Sequence, residues 1–186
     1  KELEITTDTA DVFRLVDLKP FLRGGANTVA LEASGRGSLA YQVVATHHLP
    51  WEGQVQAEDK PLEIGVAYDR TLLETDDLLR CEVRLRYNRP GSAMMTIVDL
   101  GIPPGFEVVT EGFDRLTSDG VIQRYSLTGR QVILYFDRID SGAPVVFRYE
   151  LRAEFPVKAQ APGASAYQYY EPEVRDETRP VEITVS

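Results

Sequence analysis

The chain has 186 residues, of which 43% are apolar and 26% are charged, and its formal net charge is −9. This balance is that of an ordinary globular protein, and it argues against an intrinsically disordered or fibrous chain. The negative charge and the lack of any run of Lys or Arg also disfavour a nucleic-acid-binding protein, because such proteins need a basic surface for phosphates. No apolar stretch approaches the ~18 residues of a transmembrane helix, so no membrane span is predicted.

Apolar and polar residues alternate through the first quarter of the chain, beginning at Lys1-Glu-Leu-Glu-Ile5. This period of two predicts four strands, at residues 3–7, 12–18, 27–33 and 38–48. Four strands are few for an independent sandwich, so we expect half of a β-domain in a fragment of a longer protein. The polar, unpatterned segment between Pro50 and Pro61 is predicted to be a linker or a long loop. The expected domains are therefore residues 1–58 and 59–186.

The second domain shows the strongest strand pattern in the chain. Five apolar residues face one way and four charged residues face the other: Leu79, Cys81, Val83, Leu85 and Tyr87 against Arg80, Glu82, Arg84 and Arg86. Alternation of the same kind predicts further strands at residues 62–68, 94–100, 121–127, 131–137, 145–155, 165–171 and 181–185. Glu111–Thr117 is the one predicted helix, and Gly112 weakens it. Strands with one apolar face predict an all-β fold, an antiparallel β-sandwich.

The same alternation turns several large side chains away from the predicted core. In residues 94–100 it groups Met94 with Thr96, Val98 and Leu100 and leaves Met95 on the other face. In residues 131–137 it turns Tyr135 outward. Near the C-terminus it places Tyr167 and Tyr169 opposite Tyr170. These side chains either pack against a neighbouring sheet or loop, or they form a surface for a protein partner.

No arrangement of residues points to catalysis, a cofactor or a firm metal site. His47 and His48 are the only histidines, and as strand neighbours they point to opposite faces. The single cysteine, Cys81, lies on an apolar strand face, where a thiol acts as a small hydrophobe. Calcium binding stays open as an alternative, because carboxylates lie near one another in the sequence at Asp8, Asp11, Asp17, Asp76 and Asp77. Their spacing is not that of a calcium-binding loop. We therefore expect a protein that is not an enzyme.

Three segments follow one another along the second domain: Met95-Thr-Ile-Val-Asp99 with Pro104-Gly-Phe106, Val132-Ile-Leu-Tyr-Phe-Asp-Arg138, and Ala166-Tyr-Gln-Tyr-Tyr-Glu171. In this order they resemble the receptor-binding, last macroglobulin-like domain of the alpha-2-macroglobulin and complement thioester family. Upstream, residues 29–50 are similar to the second half of the CUB-like β-domain that precedes it in this family. The resemblance thus implies a C-terminal region, with the CUB-like half in residues 1–58 and the macroglobulin-like sandwich in residues 59–186.

The resemblance implies a non-catalytic part of a protease trap. Such proteins carry an internal thioester in a Cys-X-Glu-Gln motif on a separate domain, whereas here Cys81 is followed by Glu-Val-Arg. In relatives a methionine and two tyrosines of the last domain cover the thioester, and the matching positions are Met95, Tyr135 and Tyr169. The expected partners are therefore an upstream thioester domain of the same polypeptide and, for the whole parent, its target proteases.

The sequence also departs from the family. Animal relatives bind an endocytic receptor through two lysines, and the nearest positions here are Thr110 and Asp114, so receptor uptake is not expected. An Arg-rich chain without a glycosylation acceptor fits a bacterial, extracytoplasmic protein that is periplasmic, envelope-bound or secreted. The alternative is an extracellular adhesion or carbohydrate-binding β-sandwich that uses the tyrosine cluster. Glycan arrays and calcium titration would separate the two.

Overall fold

The computed structural model describes residues 3–9, 12–46 and 59–186, and it divides the chain into two compact units, Lys1–His47 and His48–Ser186. The first unit contains two short 3-10 helices, Thr7–Thr9 and Lys19–Phe21. A turn at residues 23–27 follows the second of them and is closed by the side chain of Asn27. This side chain accepts a hydrogen bond from the Arg23 N–H at 2.9 Å and donates to the Arg23 and Gly25 carbonyls.

The strands predicted in the first quarter of the chain are wrong over the described residues. Residues 3–9 and 12–46 contain no strand, although 3–7, 12–18, 27–33 and most of 38–48 carry the alternating pattern. An alternating segment becomes a strand only when another strand takes its backbone hydrogen bonds and its apolar face. Neither is supplied here, and Phe13 and Leu15 are 102% and 95% exposed. The assignment of residues 1–58 to a CUB-like half-domain stays a prediction.

In the second unit, the described residues 59–186 contain twelve strands and one helix. In chain order the strands are β1 (Leu62–Tyr68), β2 (Leu72–Leu73), β3 (Leu78–Tyr87), β4 (Ser92–Gly101), β5 (Phe106–Val109), β6 (Arg124–Leu127), β7 (Gln131–Asp140), β8 (Val145–Ala153), β9 (Val157–Ala161), β10 (Ser165–Gln168), β11 (Arg175–Glu177) and β12 (Val181–Val185). The helix α1 is Glu111–Ser118. The eight predicted strands of this unit and the predicted helix are present, with ends that differ by up to three residues.

The strands form a four-stranded sheet β1-β3-β8-β5, a five-stranded sheet β11-β10-β4-β7-β6 and a small sheet β2-β12-β9. Apart from the parallel pair β2 and β12, the neighbouring strands are antiparallel. The apolar rows of the two large sheets are fully buried, Leu79, Cys81 and Val83 in one and Val98, Leu100 and Leu134 in the other. The predicted all-β antiparallel sandwich is confirmed, because each one-sided strand hides its apolar row.

Four strands escaped prediction, namely β2, β5, β9 and β11. They are short, with two to five residues each. Two predicted ends are also wrong. Strand β8 stops at Ala153, so that Phe155 is 52% exposed, and β10 stops at Gln168 because its N–H donates to the Val174 carbonyl of the following turn.

Candidate functional site

The three residues singled out in the sequence lie around one depression at the five-stranded sheet. Met95 belongs to β4, Tyr135 belongs to β7, and Tyr169 directly follows β10. The depression has a volume of about 320 Å³, and its remaining lining residues are Thr96, Ile97, Gln123, Arg124 and Phe136. These strands are neighbours in the sheet, so the topology brings together side chains that are 40 and 34 residues apart in sequence.

Met95 has an unusual backbone conformation for a residue with a side chain. Its φ angle is +49°, in the left-handed region. The pairing of β4 with β7 is recorded at Met94 with Arg138 and at Thr96 with Phe136, on either side of it. The turn of the backbone here interrupts the alternation, so Ala93 rather than Met94 is buried, and Met94 is 51% exposed. The prediction that Met94 shares the core face of Thr96 is therefore wrong.

Met95 and Tyr169 are joined through the backbone. The Tyr169 N–H donates to the Met95 carbonyl at 2.9 Å, one step beyond the last paired residue of β10. Their side chains are 38% and 56% exposed, respectively. The Tyr170 ring packs against the Tyr169 ring edge-on, with ring centroids 5.1 Å apart. This contact stabilises an exposed aromatic pair at the border of the depression.

Tyr135 is half-buried, and a residue that the sequence did not suggest covers part of its ring. The guanidinium carbon of Arg124 lies 3.8 Å from the centroid of the Tyr135 ring. Strands β6 and β7 pair these two residues directly opposite each other. A cation over an aromatic face is attracted by the quadrupole of the ring. The pair depends on strand register, which the sequence pattern alone does not provide.

A row of side chains crosses all five strands of this sheet beside the depression. The recorded registers place Arg175, Tyr167, Ile97, Tyr135 and Arg124 opposite one another in that order. Tyr167, Ile97 and Tyr135 are each half-buried, and arginines stand at both ends of the row. Three of these residues, Ile97, Tyr135 and Arg124, line the depression together with Met95 and Tyr169.

A second depression, of about 360 Å³, lies between α1 and β6. Its lining residues are Asp114, Thr117, Ser118, Arg124 and Tyr125. The Tyr125 hydroxyl donates to an oxygen of Asp114 at 2.6 Å, and this bond raises the pKa of Tyr125. Asp114 is one of the two positions that match the receptor lysines of animal relatives. Its carboxylate thus makes an internal hydrogen bond where those proteins carry a cation.

Cys81 lies in the core and is far from a reactive thiol. It is fully buried, and burial raises its pKa to about 12. Its neighbours across the strands are Tyr68 and Tyr149, and burial raises the pKa of Tyr68 to about 12 as well. A thiol held in its protonated form is a poor nucleophile, so this cysteine acts in packing.

The remaining candidates give no assembled site in the described part of the chain. His47 and His48 lie outside the described residues. Within residues 3–9, 12–46 and 59–186, no three His, Cys, Asp or Glu side chains are grouped so that they would hold a metal ion. In those same ranges, no helix has the length and apolar character needed to cross a membrane.

Comparison with known proteins links the five-stranded sheet region to one family. Residues 91–179 match the family of the A-macroglobulin receptor binding domain. Complement C3 of Eptatretus burgeri is 25% identical over an aligned stretch of 189 residues, gaps included, which covers 94% of this chain and 11% of that protein. The family match, residues 91–179, begins in the turn between β3 and β4 and includes Met95, Tyr135 and Tyr169.

Two solved bacterial proteins share the fold. The native conformation of Escherichia coli alpha-2-macroglobulin has 16% identity and a TM-score of 0.62, over 74% of this chain and 10% of that one. Salmonella alpha-2-macroglobulin reacted with methylamine has 16% identity and a TM-score of 0.59, over 68% of this chain and 9% of that one. The present chain thus spans about a tenth of the length of these relatives.

Proposed function

We propose, from the match of residues 91–179 to the A-macroglobulin receptor binding domain family, that the chain is a non-catalytic part of an alpha-2-macroglobulin-like protease inhibitor. Its task is to support and shield a thioester domain that lies upstream in the same polypeptide. The whole parent traps proteases outside the cytoplasm. Activity, partners and compartment of the parent are all part of this proposal.

One observation carries the proposal: Met95, Tyr135 and Tyr169 line a single depression. A thioester is an activated acyl group that water or an amine attacks, so a protein that stores one must exclude both. Large, weakly polar side chains that are exposed and contiguous suit this purpose. Met95 and Tyr169 keep 38% and 56% of their surfaces exposed, which leaves them free to contact another domain.

The chain itself has no residue that would form the thioester. Cys81 is fully buried, it is followed by Glu-Val-Arg, and burial keeps its thiol protonated. The acyl group would therefore belong to another part of the parent. Receptor uptake is not proposed, because α1 and its N-terminal neighbour carry Thr110 and Asp114 instead of lysines, and Asp114 is bound by the Tyr125 hydroxyl.

The test is the rate at which the full-length parent reacts with methylamine, followed as the release of a free thiol. Salmonella alpha-2-macroglobulin has been solved after reaction with this amine, so the probe reaches such a protein. Tyr135→Ala and Tyr169→Ala are expected to raise the rate, because each opens a path to the acyl group. Unchanged rates in both variants contradict the shielding role.

A matched control is Tyr170→Ala. Tyr170 is 74% exposed and lies next to Tyr169 in sequence, yet it does not line the depression. Its removal deletes an aromatic ring of the same size together with the edge-on contact to Tyr169, but it leaves every side chain that lines the depression intact. We expect a much smaller effect on the rate. If Tyr170→Ala raised the rate as much as Tyr169→Ala, the effect would come from a general change in the segment after β10 and not from the loss of shielding.

A further inference from the structure

Arg124 has a place in the proposed interface that the family motifs do not mention. Its guanidinium lies 3.8 Å from the Tyr135 ring centroid and lines the same depression as Met95 and Tyr169. A partner that covers Tyr135 must therefore cover Arg124 too. The charge state of the covered surface then becomes part of how the interface works.

Arg124 has no carboxylate within 4 Å among the described residues, in contrast to other arginines of its sheet. Arg138 lies 3.0 Å from Asp140, and Arg175 lies 3.6 Å from Glu177. Asp114 lines the neighbouring depression with Arg124, but its Oδ1 accepts the hydroxyl of Tyr125. The guanidinium is exposed and hydrated in the free domain, so it needs no partner there.

Stacking on Tyr135 prepares this guanidinium for an anion. Arginine donates its five N–H groups in the plane of the group, and here the central carbon of the guanidinium lies over the Tyr135 ring. The donors are left free at the edges, and the stacked side chain loses less conformational freedom when it binds. Carboxylates match this fork with two parallel hydrogen bonds.

Desolvation decides what the partner must provide. Burying a guanidinium without an opposite charge is strongly unfavourable, more so among apolar side chains such as Met95, Ile97 and Tyr169. We propose that the thioester domain presents a carboxylate to Arg124, so that an ion pair at the edge of the shield holds the two domains together. This inference rests on the proposed shielding function, and it adds the chemistry of the partner surface.

The ion pair predicts how salt acts on the rate of methylamine reaction. That rate follows the fraction of molecules in which the shield is open, and salt weakens the attraction between charges. Methylamine reactivity of the wild-type parent is expected to rise with NaCl concentration. Arg124→Met is expected to raise the rate about tenfold or less at low salt and to flatten its salt dependence.

Arg124→Glu separates a charge effect from a change in the orientation of Tyr135. Two carboxylates repel, so this variant is expected to react faster than Arg124→Met at low salt and to slow down as salt is added. The control is Arg84→Glu, the same change of charge on the outer face of β3 in the other sheet, where Arg84 is exposed. It is expected to keep the salt dependence of the wild type.

The outcomes distinguish this inference from the function beneath it. If Tyr135→Ala raises the rate but Arg124→Met and Arg124→Glu keep the wild-type salt dependence, the shield stands and the carboxylate partner is wrong. If Arg124→Glu behaves like Arg124→Met at every salt concentration, the arginine only orients Tyr135, and the ion pair is again wrong. If neither Tyr135→Ala nor Tyr169→Ala changes the rate, the shielding function itself is overturned, together with this inference.

Discussion

The ammonium nitrogen of Lys60 lies 2.5 Å from Oδ1 of Asp176, and both side chains are largely buried, at 18% and 8% exposure. The other oxygen of Asp176 accepts a hydrogen bond from the Ile64 N–H at 3.0 Å. Asp176 belongs to β11, at the edge of the five-stranded sheet, and Ile64 belongs to β1, at the edge of the four-stranded sheet. A single carboxylate thus joins the edges of both sheets and holds Lys60, which lies just before β1, in position.

Asp176→Asn is expected to lower the free energy of unfolding by about 2–3 kcal/mol, because it leaves the Lys60 ammonium largely buried without an opposite charge. Urea unfolding followed by circular dichroism measures the change. The control is Glu182→Gln, which breaks the pair of Lys158 and Glu182, whose side chains are 67% and 58% exposed. That pair should contribute no more than about 1 kcal/mol. Equal losses in the two variants would contradict a special role for Asp176.

Stability is expected to fall at alkaline pH because of Cys81. Its ordinary pKa of 9.0 is raised to about 12 in the folded protein, mainly by burial. Between these values the unfolded chain loses the thiol proton and the folded chain keeps it, so rising pH favours unfolding, by up to about 1.4 kcal/mol per pH unit. The stability that the protonated Cys81 thiol contributes is complete below pH 9 and is lost as the pH approaches 12.

Cys81→Ala tests this dependence. The variant is expected to lose some stability at pH 7 through a small cavity, but its free energy of unfolding should fall less steeply above pH 9. Tyr68→Phe should likewise flatten the slope above pH 10, because burial raises the pKa of Tyr68 from 10.0 to about 12. Tyr170→Phe, at an exposed position, is the comparison. If the free energy of unfolding fell equally steeply with pH in all variants, Cys81 and Tyr68 would be ruled out as the cause.

Met95 should tolerate glycine better than a branched residue. At φ +49° a side chain costs about 1–2 kcal/mol, and a β-branched one is disfavoured further. Met95→Val is therefore expected to lower the free energy of unfolding by more than about 1 kcal/mol, whereas Met95→Gly changes it by less than about 1 kcal/mol. Met94→Val is the control at an exposed neighbour without positive φ. A similar loss at Met94 would show that the backbone of Met95 is not the reason.

Met95→Gly also separates stability from shielding. It removes the side chain that lines the depression while relieving the backbone. The parent with this change is expected to unfold at nearly the same urea concentration and yet react faster with methylamine. A faster reaction that accompanied a large loss of stability would instead indicate partial unfolding of the domain.

Thr96 offers a change that should stabilise the domain. Its hydroxyl oxygen is buried and has no hydrogen-bond partner among the described residues. Thr96→Val replaces the hydroxyl by a methyl group of similar size, so the desolvation cost disappears and the free energy of unfolding is expected to rise by about 1 kcal/mol. Ser92→Ala is the contrasting variant, since the Ser92 hydroxyl donates to Asp140 at 2.6 Å. Ser92→Ala should lower stability, and a loss in Thr96→Val would show that its hydroxyl is satisfied in solution.

The comparison of β3 with the first quarter of the chain shows how far alternation can predict a fold. Both carry a period of two, and β3 forms over Leu78–Tyr87 because β1 and β8 pair with its two edges. Residues 12–18 have the same pattern but no strand partner among the described residues, and Leu15 stays exposed. A period of two states which face would be buried; it does not state that a partner is present.

The site shows the same division between what is local and what is not. Alternation, supported by the family motifs, was enough to turn Met95 and Tyr135 off the core face, because successive side chains of a strand point to opposite faces of the sheet. The left-handed conformation of Met95 was not predicted, and Met94 is exposed where the core face of Thr96 was expected. The sequence contains no local signal for that conformation, since methionine rarely adopts it.

The amino-acid sequence by itself thus determined the all-β class, the buried rows of residues 59–186 and the family that residues 91–179 match, because these follow from local alternation and from motifs. Only the tertiary structure decided that Met95, Tyr135 and Tyr169 line one depression, that Arg124 stacks on Tyr135 and that Asp176 joins two sheet edges. Each of these contacts depends on which strands are neighbours and in which register they pair. Register is set by the packing of the whole sandwich, and no single strand encodes it.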